Sequence, residues 1–130
     1  MIKITAAFSG FSANDLKETQ KFYTEILGLP VEDNGMGLQI HLPHGGSVFA
    51  YEKGKDHQPA TFTILNFVVA DIDKTVDALV EKGVKFEIYK DFPFKQDEKG
   101  IARGLAAKMG PDIAWFKDPS GNILSVIQDK

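Results

Sequence analysis

The 130-residue chain is the length of one ordinary domain, with 43% hydrophobic residues, 25% charged residues and a net charge of −3. It contains no cysteine, which excludes disulfides, thiolate metal sites and a cysteine nucleophile. No basic stripe predicts nucleic-acid binding, and no apolar run approaches the roughly 18 residues of a membrane span. The first residues lack the apolar core of a secretory signal. These features favour a cytoplasmic protein whose partner is a small molecule or another protein.

The first half of the chain predicts one helix among four strands. The pattern NDLKETQKFYTEILG has apolar residues at helical spacing and predicts a helix near 14–27. Ser12 or Asn14 is a candidate cap at its start, and Gly28 is suited to the left-handed position after its end. Runs rich in β-branched and aromatic residues predict the strands IKITAAFSGF, VEDN, MGLQIHL and SVFAYE.

The second half repeats this order. A strand, TFTILNFVV, precedes a helix predicted over 72–82, with Asp71 as its cap and Gly83 after its end. The apolar stripe of this helix consists of Ile72, Val76, Leu79 and Val80. The strands KFEIYKD, DIAWFK and NILSVIQ follow.

The two halves differ in length near their ends. The helix-starting residues Asp15 and Asp71 are 56 positions apart, whereas the turn prolines Pro43 and Pro119 are 76 positions apart. The second half therefore carries about 20 extra residues, around 92–111. Such an insertion is either a binding loop or a surface excursion, and the sequence supports both readings equally.

Three segments carry a resemblance to a known family: ANDLKETQKFYTEILGL, FVVADIDKTVDALVEKGV and WFKDPSGNILSVI. In this order they resemble the vicinal oxygen chelate superfamily, which includes glyoxalase I, bleomycin-resistance proteins, fosfomycin-resistance enzymes and extradiol dioxygenases. The resemblance implies an α+β fold of two tandem βαβββ modules, about 1–56 and about 60–130, in one domain. It also implies a curved mixed sheet around a central cup, and a homodimer.

Metal enzymes of this superfamily hold a divalent cation with residues from the first and last strands of each module. The positions that match these ligands here are Phe8, Ile64, Ser125 and, less precisely, Phe49. Three of them carry no donor atom, and a neutral hydroxyl is a poor ligand for a divalent ion. We therefore predict no metal and no cofactor at the usual site.

The same positions predict a ligand-binding surface instead. If these positions face the cup, strand alternation places Tyr51 and Asn66 on the same face. The cavity would then be apolar and aromatic with a few hydroxyl and amide groups, as small-molecule sites commonly are. Arg103, in the insertion, is a candidate charge for an anionic ligand. The predicted contact residues are Phe8, Phe49, Tyr51, Ile64, Asn66, Arg103, Trp115 and Ser125.

These residues favour a metal-independent protein that binds a small molecule. The alternative is a glyoxalase-like lyase, isomerase or dioxygenase that uses metal-free chemistry or a non-standard metal site such as His41 with Glu52. Neighbouring His41 and His44 are interpreted as strand-edge and turn residues, because no third ligand stands at metal spacing. A third possibility is a structural role with the cup filled by side chains.

Overall fold

The computed structural model describes residues 1–91, 93 and 95–130. They form two compact units, Met1–Pro59 and Ala60–Lys130, and each is built on one four-stranded sheet. The division falls between the two predicted modules. That the two units make a single domain stays a prediction.

The first unit places a helix on one face of a mixed sheet. The strands, in spatial order, are β1 (Ser9–Ala13), β4 (Ser47–Glu52), β3 (Leu38–His41) and β2 (Val31–Asp33). Strand β1 is parallel to β4, and the other neighbours are antiparallel. Phe11 on β1 packs against Tyr23 of the helical segment, with ring centroids 5.8 Å apart. Both side chains are buried, so this face forms the core of the unit. The helical segment consists of α1 (Leu16–Lys21) and a π-helical continuation (Phe22–Ile26).

The start of α1 differs from the predicted cap. The Asp15 carboxylate accepts hydrogen bonds from the backbone N–H groups of Lys17 and Glu18, at 2.9 and 3.2 Å. Asp15 is therefore the N-cap, and the expectation of Ser12 or Asn14 is wrong. A carboxylate at this position satisfies two free N–H groups and also interacts favourably with the helix dipole.

The first strand begins later than predicted. Only Ser9–Ala13 pairs with β4, and residues 1–8 lie outside any strand. The register explains the difference, since Ser9 is opposite Val48 and β4 itself begins at Ser47. Only Ser47 of β4 extends past this register, so residues 1–7 have no part of β4 to pair with. Phe8 therefore precedes the strand and is 72% exposed.

The second unit repeats this architecture with the strand order β5-β8-β7-β6. Asp71 caps its long helix by accepting from the Lys74 N–H at 3.0 Å, and Gly83 follows that helix at φ +95°, both as predicted. Ile72, Val76 and Leu79 are buried as expected. Val80, at the edge of the predicted stripe, is 53% exposed instead. The elements are β5 (Thr63–Val68), α2 (Ile72–Glu81), β6 (Ala102–Arg103), α3 (Gly104–Ala107), β7 (Asp112–Lys117) and β8 (Ile123–Gln128).

The predicted strand KFEIYKD is wrong for most of its length. It contributes one isolated bridge, Phe86 to Phe116, and the edge of the sheet is continued by β6. The insertion separates these two pieces of edge. The Gln96 side chain holds them together, because its amide accepts from the Tyr89 N–H and donates to two backbone carbonyl groups, at 2.8 to 2.9 Å. Phe92 and Phe94, within the same insertion, lie outside the described residues.

Two four-stranded mixed sheets with few helices confirm the α+β class and are consistent with tandem βαβββ modules. Among the described residues, no helix is long and apolar enough to cross a membrane.

Candidate functional site

In the first unit, three predicted site residues lie together on the sheet face opposite α1. Val48 and Ala50 of β4 are buried in the core, so alternation directs Phe49 and Tyr51 to the other face. The Phe49 ring lies 6.4 Å from the Phe8 ring in an edge contact and 6.4 Å from the Tyr51 ring in a stacked one. The three aromatic residues that the sequence places in one site are therefore neighbours on this face.

A cavity of about 320 Å³ opens beside this aromatic group, and we call it the Phe8 cavity. Its lining combines aromatic, amide, hydroxyl and thioether groups. The residues are Phe8, Asn34, Met36, Gln39, Ser47 and Phe49.

In the second unit, Ser125 occupies the centre of β8 and is fully buried. Asn66 on β5 and Trp115 on β7 are its register partners on either side. The Ser125 hydroxyl donates to the Asn66 side-chain oxygen at 2.5 Å, which places these two side chains on the same face. Ile64 lies two residues before Asn66 and is half-buried, at the point where the register between β5 and β8 shifts.

A larger cavity, about 700 Å³, opens beside Trp115, and we call it the Trp115 cavity. The floor comes from Ala102, Ile113 and Trp115, which share one face of the sheet. The opposite wall belongs to the insertion. The lining residues are Pro93, Lys95, Gln96, Asp97, Ala102, Arg103, Gly104, Ala107, Met109, Pro111, Ile113 and Trp115.

Arg103 lines this cavity, but its guanidinium reaches toward the helix side of the sheet. Its register partner is Asp112, which is buried, and it forms a paired hydrogen bond with Asp73 of α2 at 2.7 and 2.9 Å. A further bond joins its Nε to Asp97 of the insertion at 3.0 Å. We call these four residues the Arg103 network. A direct contact between Arg103 and a ligand stays a prediction, but the network ties the insertion to α2.

The network shifts the pKa values of two of its members, Asp73 and Arg103. Hydrogen bonds from Arg103 lower the pKa of Asp73 to about 2, against the opposing effect of burial, and the charges of Arg103 and Lys99 lower it further. The same pairing with Asp73 raises the pKa of Arg103. Both shifts favour the charged forms.

We expect Asp73→Asn to lower the free energy of unfolding at pH 7 by about 1 kcal/mol, since the Asp73 side chain is 45% exposed and solvent screens the pair. The native pKa of Asp73 lies below its unfolded value, so its contribution is present above pH 4 and disappears as pH falls from about 4 to about 2. Denaturant unfolding of both proteins across this range measures the difference. Asp77→Asn is the control, because Asp77 pairs only with Lys99 among the described residues and is 64% exposed. A deficit in Asp73→Asn that persisted at pH 2 would contradict the ionic explanation.

The residues at the family's metal-ligand positions do not fit a divalent cation. Phe8, Phe49 and Ile64 offer no donor atom, and the Ser125 hydroxyl is buried and already bonded to Asn66. Across residues 1–91, 93 and 95–130, no three His, Asp or Glu side chains are grouped as metal ligands.

The non-standard pair suggested by the sequence, His41 with Glu52, is not brought together. His41 is opposite Ser47 at one end of β4, whereas Glu52 is at the other end, about 16 Å away at the usual strand rise. The His41 imidazole contacts Glu32 at 2.8 Å. The Glu52 carboxylate accepts from the Leu16 N–H at 3.0 Å. Each side chain therefore has a local partner.

Most residues in the wall of the Trp115 cavity are not predicted by any sequence pattern. Lys95, Met109, Pro111 and Ile113 belong to it, and none carries a motif. The one available signal was the 20-residue difference between the repeats, which located the insertion without assigning its side chains.

Each unit thus carries a helix on one face of its sheet and a cavity on the other. This arrangement, present twice in one chain, defines a protein of tandem βαβββ architecture. The model of the Glyoxalase/Bleomycin resistance protein/Dioxygenase superfamily matches residues 6–126, and the chain belongs to that superfamily.

Similar proteins include one from Bacillus subtilis (strain 168), the uncharacterized protein YraH, which is 29% identical over 127 residues, covering 87% of this chain and 89% of YraH. The antibiotic-binding protein TnmS3 from Streptomyces sp. CB03234 has a similar fold, with a TM-score of 0.65, 20% identity and coverage of 99% of this chain and 100% of TnmS3. The fosfomycin resistance protein FosX from Listeria monocytogenes aligns with a TM-score of 0.67 and 16% identity, over 100% of this chain and 96% of FosX. At these identities, the two structures show a shared fold.

Proposed function

We propose that this protein binds a small, largely apolar molecule without the divalent metal used by the enzymes of its superfamily. The Trp115 cavity is the observation that carries the proposal. Its volume of about 700 Å³ lies within the usual range for small-molecule sites, roughly 300–1,000 Å³. Proline, alanine, methionine, isoleucine and tryptophan side chains make most of its wall, which is the composition that such sites favour.

The residues predicted from the sequence support the same reading. Phe8, Phe49 and Tyr51 form an aromatic surface in the first unit, and in the second the exposed Asn66 offers an amide group held by the buried Ser125 hydroxyl. The residues at the positions that match the family's metal ligands lack suitable donor atoms. This supports ligand binding without a divalent cation. That TnmS3 is described as an antibiotic-binding protein agrees with this class of function.

A neutral fluorescent dye, N-phenyl-1-naphthylamine, tests the proposal. Trp115 is the only tryptophan, so dye bound in its cavity should quench tryptophan emission and accept its energy. We expect saturable binding, weakened at least about 10-fold in Trp115→Leu, since a large aromatic contact contributes about 1.5–3 kcal/mol. Affinity in the variant is read from the directly excited dye.

Phe62→Leu is the matched control. Phe62 is also in the second unit, is 67% exposed and lies outside the cavity wall, so dye binding should be unchanged. Elemental analysis of the purified protein addresses the metal. No dye binding, or a tightly held stoichiometric metal, would count against the proposal.

We also propose that the protein forms a homodimer. Strand β1 forms one edge of its sheet, and the exposed residues before it include Ile2 and Ile4 in the strand-like run IKIT. Exposed edges with β-prone apolar residues invite pairing with a second chain. Superfamily membership agrees with this assembly.

Light scattering after size exclusion should give about twice the chain mass of 14.3 kDa. The double variant Ile2→Lys with Ile4→Lys should raise the dimer dissociation constant at least about 100-fold, because it removes two apolar contacts and adds charge to the edge. Lys3→Gln, between them, should have little effect. A monomer for the unmodified protein at micromolar concentration would contradict the dimer.

A further inference from the structure

The polar side chains of the Trp115 cavity differ in whether they have protein partners. Gln96 uses its amide on three backbone groups. The Asp97 carboxylate accepts from the N–H groups of Lys99 and Ile101 and from Arg103. These groups are already satisfied, so a ligand gains little from them.

Arg103 was the residue that the sequence suggested for an anion. Its charge is balanced by carboxylates before any ligand arrives, and its side chain lies on the helix side of the sheet with Asp112 and Asp73. Asp73 and Asp112 lie on that side, whereas Asp97 also lines the cavity. The Asp97 carboxylate is bonded to Arg103 and to two backbone N–H groups, so part of its charge is already balanced before a ligand arrives.

Lys95 is the exception among the charged lining residues. It is exposed and forms no hydrogen bond or ion pair with any residue that the structure describes. A cation at the mouth of an apolar cavity can contact the charged end of a ligand without first breaking another pair. Such a contact stabilises the bound ligand more than a contact for which the protein must first break an existing hydrogen bond or ion pair.

The apolar wall indicates the shape of the rest of the ligand. Trp115 is half-buried, its ring contacts the Tyr89 ring with centroids 5.7 Å apart, and the cavity lies beside it. An indole ring, two prolines and the thioether of Met109 are surfaces that pack well against a flat aromatic system.

From these observations we infer that the Trp115 cavity takes a flat aromatic anion, with its rings against Trp115 and its negative group at the Lys95 ammonium. This inference rests on the proposed function, since it names the chemical class of ligand for the same cavity.

Two dyes that share one skeleton test it. The neutral dye is N-phenyl-1-naphthylamine, and 8-anilinonaphthalene-1-sulfonate adds a sulfonate to the same rings. We expect Lys95→Gln to weaken binding of the sulfonate about 3- to 10-fold, as for loss of one partly exposed charged contact, and to leave the neutral dye unchanged. Sulfonate binding to the unmodified protein should also weaken with added salt.

Lys55→Gln in the first unit is the control for net charge, and it should change neither affinity. The melting temperature of each variant shows that the dye does not report unfolding. If Lys95→Gln leaves sulfonate binding intact, or weakens both dyes equally, the anion inference is overturned and the proposed function stands. If neither dye binds the unmodified protein, the proposed function itself fails.

Discussion

Replacing Ser125 by glutamate is expected to lower the free energy of unfolding by about 3–5 kcal/mol, the effect of a buried charge without a partner. Ser125 is fully buried, and its hydroxyl donates to the side-chain oxygen of Asn66. Even if the Asn66 amide turned to donate an N–H, a neutral amide would not balance the charge of a buried carboxylate. For a chain of this length, the loss corresponds to a fall in melting temperature of more than about 10 °C. Thermal unfolding at pH 7 measures it.

Ser125→Gln is the matched control, because glutamine has nearly the same volume and no charge. The difference between the two variants isolates the cost of the charge from the cost of overpacking. Burial raises the pKa of the new carboxyl above its unfolded value of about 4.3. The difference should therefore grow as pH rises through that value, and it should close below about pH 4.

The Ser125→Glu variant also tests whether a metal can bind at the positions that match the family's metal ligands. Superfamily metal enzymes carry a carboxylate at this place, but here Ile64 offers no second donor. Zinc or manganese should therefore not restore the melting temperature of Ser125→Glu. Recovery by either ion would show that a metal site can be assembled from other residues, and would favour the enzyme alternative.

Gly104→Ala is expected to destabilise the protein by about 2–3 kcal/mol and to weaken dye binding at least 10-fold. A Cβ at Gly104 would lie too close to the Gly110 carbonyl oxygen, at 2.7 Å, and still closer to the Pro111 carbonyl oxygen. Both contacts are with backbone, which cannot rotate away as a side chain can. Gly104 and Pro111 line the Trp115 cavity, so the strain would displace its wall directly.

Gly46→Ala provides the comparison. Gly46 has a φ of −80°, which any residue adopts, and its Cβ would meet only Leu42, at 4.0 Å. This substitution should leave both melting temperature and dye affinity nearly unchanged. Equal effects of the two alanines would refute the close approach at Gly104.

Several site features could be read from local spacing. The aspartates Asp15 and Asp71 locate the helices, and counting from them identifies Phe8 and Ile64 as the positions without metal donors. Strand alternation groups Phe49 with Tyr51, because side chains two residues apart share a face. Each of these inferences depends on neighbours within a few residues, which is why the sequence alone can support it.

The extent of the strands was harder to predict. Residues 1–8 and the segment KFEIYKD have the composition of strands, yet they lack a continuous pairing partner within their unit. A segment forms a strand only where another strand lies beside it to pair with. Composition alone therefore overestimates the length of strands.

The sequence by itself determined the α+β repeat, the position of the helices and which residue types stand at the positions matching the family's metal ligands, because periodicity, caps and residue identity are local. Only the tertiary structure decided which charges remain available to a ligand. Arg103 and Lys95 are equally cationic in sequence. Ion pairs with Asp73, Asp97 and Asp112 engage Arg103, whereas Lys95 lines the Trp115 cavity with no ion pair to the described residues. The residues of the network are spread over 40 positions of the chain, from 73 to 112, and only folding brings them together. The physical reason is that the free energy of a charge depends on its neighbours in space.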